Sequence, residues 1–327
     1  MLTSVYPQRS SSRRVEVIGS LLKYAHEAYN NVDLLSSMGY ALEAESLSEA
    51  ANYSEGRARS NFYIAQVLSS VGDYDQSLGY LSFAEKERYT TRDPLFQSEV
   101  SRMQGRVLSL LGLHQSSVRV FKKGKELIKR AKRTDETDYL LSMAYENLSI
   151  VYSLMNRTDS SGYYMAQNKE LLESMDEEVV YRNLINLYGQ FGHVFTVQEK
   201  YDSATCYLDE ALRLADKYQF PYTAYTSRRQ GEMEAKRGRL LAALDWYFKG
   251  ITNIEETGLQ SGLLVLYEAV SDIYSRTGSV DSSRYYLDKK KALEKELGTT
   301  NMHALVTAVH SLLEGGRDQQ SSKFLII

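Results

Sequence analysis

Residues that could do chemistry are few in this chain, and their spacing argues against most kinds of it. The five histidines are His26, His114, His193, His303 and His310. His26-Glu27 opens like a zinc-protease pair, but Asn30 stands where the second histidine of an H-E-x-x-H helix would be. His303 and His310 are seven apart, too far for two ligands on adjacent turns, so no metal site is expected. Ser20 and Lys23 make an S-x-x-K with no partner motif, which is too little for serine–lysine catalysis. A phosphate-cradling G-x-x-x-x-G-K-S/T loop is missing. The single cysteine, Cys206, excludes a disulfide framework and a thiolate metal site, and reads as a small packing residue in mid-helix. Neither catalysis nor a cofactor is expected.

What survives is binding chemistry. Arg102 and Arg106 lie one helical turn apart on one face, a spacing that suits a carboxylate or an acidic side chain. Lys122 to Arg133, KKGKELIKRAKR, carries seven basic residues against one acidic. Leu127, Ile128 and Ala131 supply an inward stripe there and no aromatic interleaves the cations, so the run reads as a solvated outer helix face rather than a nucleic-acid site. The formal net charge of −3 adds no global basic field.

These residues have to be positioned by helices. With 3 prolines and 20 glycines in 327 residues, long helices with few irregular loops are expected. A hydrophobic fraction of 43% beside 25% charged residues fits an ordered chain. The 26 tyrosines against one tryptophan, Trp246, suit half-buried packing faces. No run of 18 apolar residues occurs, so no membrane span is expected. The first fourteen residues have no apolar signal-peptide core, which points to the cytoplasm, or to the periplasm if the sequence is a trimmed sensor domain.

The organising stretch is Asn186 to Ala215. Tyr188, Phe191, Gly192 and Phe195 fall on one helical face; after a polar break at 198–200, Tyr201, Ala204, Leu208, Ala211 and Ala215 repeat the rhythm. Aligning on Gly192, small residues recur at Ala25, Ala65, Gly105, Ser149, Gly231 and Ser271, a mean interval of 41. Twelve residues after each comes another small one: Ser37, Ser77, Ser117, Ser161, Ala204, Ala243 and Ser283. Four further on stand Leu81, Phe121, Met165, Leu208, Tyr247 and Leu287, with Ala41 the exception. Small residues let two helices approach, and the large one fills the space left. Gly72, Gly112, Gly238 and Gly278 mark the turn within a unit, and Asp93-Pro94 reads as an N-cap followed by the first helical position. Pro221 occupies the corresponding place in a later unit.

This register resembles that of tetratricopeptide-repeat (TPR) proteins over residues 15–297. The family's turn is echoed by Gly72-Asp-Tyr-Asp-Gln-Ser, Lys200-Tyr-Asp-Ser-Ala and Gly278-Ser-Val-Asp-Ser-Ser, and its aromatic by Tyr152, Phe195 and Tyr274. Its tryptophan and closing proline are absent, and the period exceeds the usual 34, so longer helices or connectors are expected. The resemblance implies an all-α, right-handed superhelical solenoid of about seven helix-turn-helix repeats over 15–314. Met302, Leu305, Val309 and Leu312 form a capping helix in this reading, with Ser311 in the register position 40 beyond Ser271. Residues 1–14 are expected to be a flexible segment, and 315–327 a linker ending in apolar Phe324–Ile327, either a docking tail or the start of a further segment.

In TPR solenoids the first helices line a concave groove, and the resemblance implies that their inward, non-packing positions touch ligand. Carried over by register, these are Arg59, Phe62, Gln66, Arg102, Arg106, Glu146, Ile150, Asn186, His193, Tyr225, Arg228, Glu232, Glu268 and Asp272. The expected partner is a protein or peptide, and the expected function a sensor or regulatory domain of a bacterial signalling or transcription-regulating protein. The alternative is a free-standing adaptor or assembly scaffold. Sequence alone leaves the oligomeric state open.

Overall fold

A computed structural model describes residues 6–257, 261–299 and 305–315, and within them the chain forms sixteen helices and no strand. Two compact units are present: the chain up to Ser161 together with 305–315, and Gly162–Thr300. The first contains α1 (Tyr6–Asn30), α2 (Leu34–Ala50), α3 (Ser54–Ser70), α4 (Tyr74–Lys86), the short α5 (Arg88–Arg92), α6 (Pro94–Leu110), α7 (His114–Arg130) and α8 (Asp135–Leu154). The boundary falls within α9 (Thr158–Glu173). The second unit contains α10 (Glu177–Val197), α11 (Tyr201–Lys217), α12 (Ala224–Lys236), α13 (Leu240–Thr257), α14 (Ser261–Arg276) and α15 (Val280–Thr299). Residues 305–315 form α16. No helix among the described residues is long and apolar enough to cross a membrane.

Most helix pairs are built on the same three residues. A Cβ added to Gly105 would lie 2.5 Å from the Phe121 ring, one on Gly192 2.5 Å from Leu208 Cδ2, and one on Gly231 would run into the Tyr247 ring. The glycines are therefore steric requirements, with the side chain sixteen residues on filling the gap. The serine twelve residues on has a second task. Ser37, Ser77, Ser117 and Ser161 donate their hydroxyls to the carbonyls of Ala25, Ala65, Gly105 and Ser149 at 2.9, 2.8, 2.7 and 3.0 Å. Ser271 reverses the direction, donating to Ser283 O at 2.9 Å. Ala204 lacks the hydroxyl, and there Thr196, one turn along α10, donates to Gly192 O instead. At these crossings the buried hydroxyl is given an acceptor, as buried polar groups generally are.

The turn residue seven after each small residue is left-handed without exception: Val32, Gly72, Gly112, Asn156, Glu199, Gly238 and Gly278 all have positive φ. Glycine marked four of these in the sequence. Each turn closes with amide bonds back to the preceding helix, as Asp73 N to Leu68 O at 2.9 Å and Gly72 N to Ser69 O at 3.2 Å. The next helix is then capped: Asp33, Asp73 and Asp93 accept from backbone N–H groups of α2, α4 and α6, with Pro94 in the first turn of α6. Helices of 17 residues (α2, α3, α6, α7, α11) account for the long period.

Four expectations are corrected. The helix of α1 begins at Tyr6, inside the segment expected to be flexible; Pro7 falls in its first turn, where its missing N–H costs nothing, and nothing after it breaks the helix. Cys206 is exposed, because it stands about 200° around α11 from the buried Ala204. Leu287 is 40% exposed, so the filler of the last pair is not enclosed. The fourth concerns α16, which belongs to the first unit. Val309 and Leu313 are 0% and 2% exposed within the cluster that holds Ala25, Met38, Ala65 and Leu81, while Leu312 and Ser311 face outward. Leu313, rather than Leu312, continues the i, i+4, i+8 stripe begun by Leu305 and Val309. Met302 and Phe324–Ile327 lie outside the described residues.

Candidate functional site

In the second unit, the residue pattern of α10 and α12 builds a cleft. Gly189 lacks a side chain where Tyr225 needs room; a Cβ there would lie 2.6 Å from the tyrosine ring. The guanidinium groups of Arg228 and Arg229 stand 5.5 and 5.0 Å from the centre of that ring. Both pair with Glu232, one turn on, and Arg229 Nη1 donates to its Oε2 at 2.7 Å. Arg229 Nη1 also lies 2.9 Å from His193 Nδ1 of α10. Burial alone would raise the Glu232 pKa, but the adjacent His193 ring and the two guanidinium groups overcome it and hold the carboxyl at about 2. Glu232 is therefore an anion that organises two cations.

The connector before α12 closes one side. Asn253 of α13 reaches across: its Oδ1 accepts from Thr223 N and Ala224 N at 3.0 Å each, and its Nδ2 donates to Pro221 O at 2.6 Å. The cap of α12 is thus supplied from another helix, and Pro221 sits ahead of the helix rather than at its first position. Phe220 is fixed between Tyr181 and Tyr222, with ring centres 6.1 and 5.5 Å away. The resulting cleft, about 480 Å³, is lined by Asn186, Phe220, Tyr222, Tyr225, Arg228, Asn253, Ile254, Thr257, Val265 and Leu266, with Ala224 and Gly262. Apolar and aromatic walls with a few amide, hydroxyl and guanidinium groups are the chemistry of a site for a polypeptide segment or a small organic molecule.

The first unit places its candidates differently. Arg59 is fully engaged: its Nε bonds Glu55 at 2.9 Å, its Nη2 donates to Tyr89 OH at 2.7 Å, and its plane lies over the Tyr89 and Phe96 rings. Phe62 is 6% exposed, edge-on to Phe96 at 5.7 Å, and is a core residue. Gln66 Oε1 and Arg102 Nε are buried without a hydrogen-bond partner. Burial lowers the Arg102 pKa against the opposing pull of Glu99, and Arg106, exposed one turn away, lowers it further. Groups left in this condition cost about 1–3 kcal/mol each. A second cleft of about 480 Å³ is lined by Asn52, Tyr53, Arg57, Arg88, Tyr89 and Arg92 among others. Burial and the hydrogen bonds to Glu55 and Asp93 push the Tyr53 and Tyr89 hydroxyls up to about 12, so both remain donors.

Of the remaining candidates, Asn186, Tyr225 and Arg228 come together in the second unit's cleft, with His193 and Glu232 behind them. Glu268 is exposed and pairs with Lys290 at 3.0 Å; Asp272 is exposed and 3.5 Å from Arg276. Glu146 is half-buried and has a partner of its own. Sequence reasoning missed Phe220, Tyr222, Asn253 and Thr257 because only first-helix positions were carried over; the aromatic–proline–aromatic connector 220–222 was the available signal. The basic run on and just after α7 is an exposed face: Lys122, Lys123, Lys129, Arg130, Lys132 and Arg133 are all exposed, with Lys129 near the Tyr145 ring and Arg133 bonded to Asp138.

No family model and no curated protein matches the sequence. Solved structures do match in shape. The apo form of RapI superposes with a TM-score of 0.65 at 16% identity, over 86% of this chain and 99% of that one. The Rap conjugation gene regulator of plasmid pLS20, in complex with the Phr* peptide, gives 0.62 at 11%, over 94% and 80%. Aspartyl phosphate phosphatase F from Bacillus subtilis gives 0.54 at 15%, over 94% and 84%. With the small-residue crossing and its filler present in pair after pair, the architecture is decided. The fold is TPR-like. A TPR-like chain displays side chains from consecutive first helices side by side, and here that brings α10, α12 and α14 to one cleft.

Proposed function

We propose that this chain is a regulatory binding domain that holds an extended peptide, or an extended segment of a protein, in the cleft of its second unit. One observation carries the reading: Tyr225 and Arg228, held by the space at Gly189 and by the Glu232 carboxylate, line one cleft together with Tyr222 and Val265. Asn186 and Thr257 supply an amide and a hydroxyl that can bond a peptide backbone. The likeness to Rap regulators, one of them solved with a peptide, supports the same class of ligand and a role in signalling or transcription control. An adaptor that assembles proteins through the same surface is the alternative, and differs in taking a folded partner instead of a short peptide.

The test is a fluorescence-polarisation screen of a short-peptide library against the whole chain. Arg228→Ala and Tyr222→Ala should each weaken the selected peptides at least tenfold, whereas Lys129→Gln with Lys132→Gln, on and just after the outer helix α7, should leave binding unchanged. Retention of affinity in both cleft variants would overturn the reading.

A further inference from the structure

In the first unit, the connector between α4 and α6 carries an extra element, the five-residue helix α5. A helix this short does not sustain itself, and here two inward residues pin it. Thr90, fully buried, donates to Ala84 O at 2.6 Å, and Tyr89 N donates to Ser54 Oγ at 2.9 Å. The Tyr89 hydroxyl accepts from Arg59 Nη2 at 2.7 Å and donates to Asp93 Oδ2 at 2.9 Å. So anchored, α5 places Arg88 and Arg92, one helical turn apart, in the lining of the 480 Å³ cleft that it forms with Asn52 to Arg57. The charges there do not balance. The carboxylates bordering α5 and the cleft already have partners: Glu55 takes Arg59 Nε and the Tyr53 hydroxyl, and Glu87 takes the fork of Arg57 at 2.7 and 2.9 Å with Ser54 Oγ. Asp93 takes Tyr89 and the first amides of α6, and Glu49 of α2 acts at longer range on Arg57. Arg88 and Arg92 are exposed, and neither guanidinium has an ion-pair or hydrogen-bond partner among the described residues. Asn52 adds a donor, because its Oδ1 accepts from Arg57 Nη1 at 3.3 Å and its amide N–H groups bond nothing described.

We infer that this cleft binds the phosphate of a small phosphorylated organic molecule, a ligand independent of the peptide proposed for the second unit. Two uncompensated guanidinium groups call for a dianion. A phosphate monoester carries about −1.5 to −2 charge near neutral pH and three acceptor oxygens. That is enough for the forks of both arginines and the Asn52 amide, whereas one carboxylate is met in full by a single arginine fork. Glu55, the one acid in the lining, is paired with Arg59 and leaves the two cations unanswered. A space of about 480 Å³ lies within the range of small-molecule pockets, roughly 300–1,000 Å³, and exceeds what a phosphate alone fills. The phosphate therefore brings an organic group with it, which the Tyr53 and Tyr89 side chains of the lining would meet.

The probe is phenyl phosphate, titrated into the full chain near neutral pH and at low salt, beside phenyl sulfate, which has the same shape and a single charge. The phosphate should bind at least fivefold more tightly than the sulfate. Arg88→Gln with Arg92→Gln should weaken its binding at least tenfold and leave the urea midpoint unchanged, since neither side chain holds the fold. Asn52→Asp keeps the oxygen that Arg57 uses and sets a negative charge in the lining, so it should weaken binding as much by a separate route. Lys129→Gln with Lys132→Gln removes the same charge elsewhere in the first unit and should change affinity less than twofold. Failure of the parent chain to bind phenyl phosphate overturns the proposal. So does equal affinity for phenyl sulfate, or an equal loss in the arginine and lysine variants, either of which would mark a diffuse positive field instead of a site. A phosphotyrosine peptide that binds at least tenfold more tightly than phenyl phosphate would overturn a small molecule as the carrier of the phosphate.

Discussion

Val32 shows how far the turn geometry overrides residue preference. A β-branched residue at φ 62° is disfavoured, by roughly 1–2 kcal/mol for an L-residue in the left-handed region. It is tolerated because the pair on either side demands that turn, and because its side chain is 78% exposed and meets no packing cost. Val32→Gly should therefore raise stability by up to about 1 kcal/mol, the relief being partly offset by the greater freedom of glycine in the unfolded chain. A urea midpoint that falls would show the turn to be unstrained. Gly192 is the opposite case. Leucine there would drive into Leu208, an overpacking worth about 1–3 kcal/mol. Ser77→Ala removes one buried bond to Ala65 O, with an expected loss of about 1 kcal/mol. Both are read in the same denaturation experiment, and a Gly192→Leu chain as stable as its parent would refute the register.

Between elements, the charges joining α10 to α12 make the second unit sensitive to acid. The Glu232 carboxyl titrates at about 2, below its ordinary 4.5, because His193, Arg228 and Arg229 stabilise the anion more than burial opposes it. A carboxyl depressed on folding contributes stability that is complete above the unfolded value and is lost as pH falls through the folded one. Parent and Glu232→Gln chains should thus differ most at pH 5 and above, and converge between pH 4.5 and 2. A difference that stays constant over that window would mean Glu232 acts only through packing. Removing Arg102 belongs to this scale too. The sequence placed it on an open groove, but its Nε is buried, so Arg102→Ala changes packing in the first unit as well as charge and is a poor probe of binding.

Over the whole molecule, the far-ultraviolet spectrum should be that of helix alone, and appreciable strand content would contradict the fold. Helices that each bury one stripe have to be covered by neighbours, and the register repeats often enough along the chain to supply them. The place of α16 is not set by that rule. Its stripe of Leu305, Val309 and Leu313 would suit any apolar face of the right width, and the face it takes is one formed by the first hundred residues.

The sequence by itself determined the helix pairs, their period and the contact residues at each crossing. These rest on local spacing: a small residue, a second twelve on and a filler sixteen on can meet only if two helices fold back on a short turn. It also determined that Asp93-Pro94 begins a helix and that glycines occupy four of the turns. Tertiary structure decided what spacing does not encode. Asn253 caps α12 from another helix, Phe220 and Tyr222 swing from a connector into the cleft, and Phe62 turns from an expected surface position into the core against Phe96. Each depends on which distant side chains share a volume, and helical periodicity alone assigns a face to a residue without saying what the face will meet. For α16 the periodicity gave the stripe, and only the packed first unit gave it a partner.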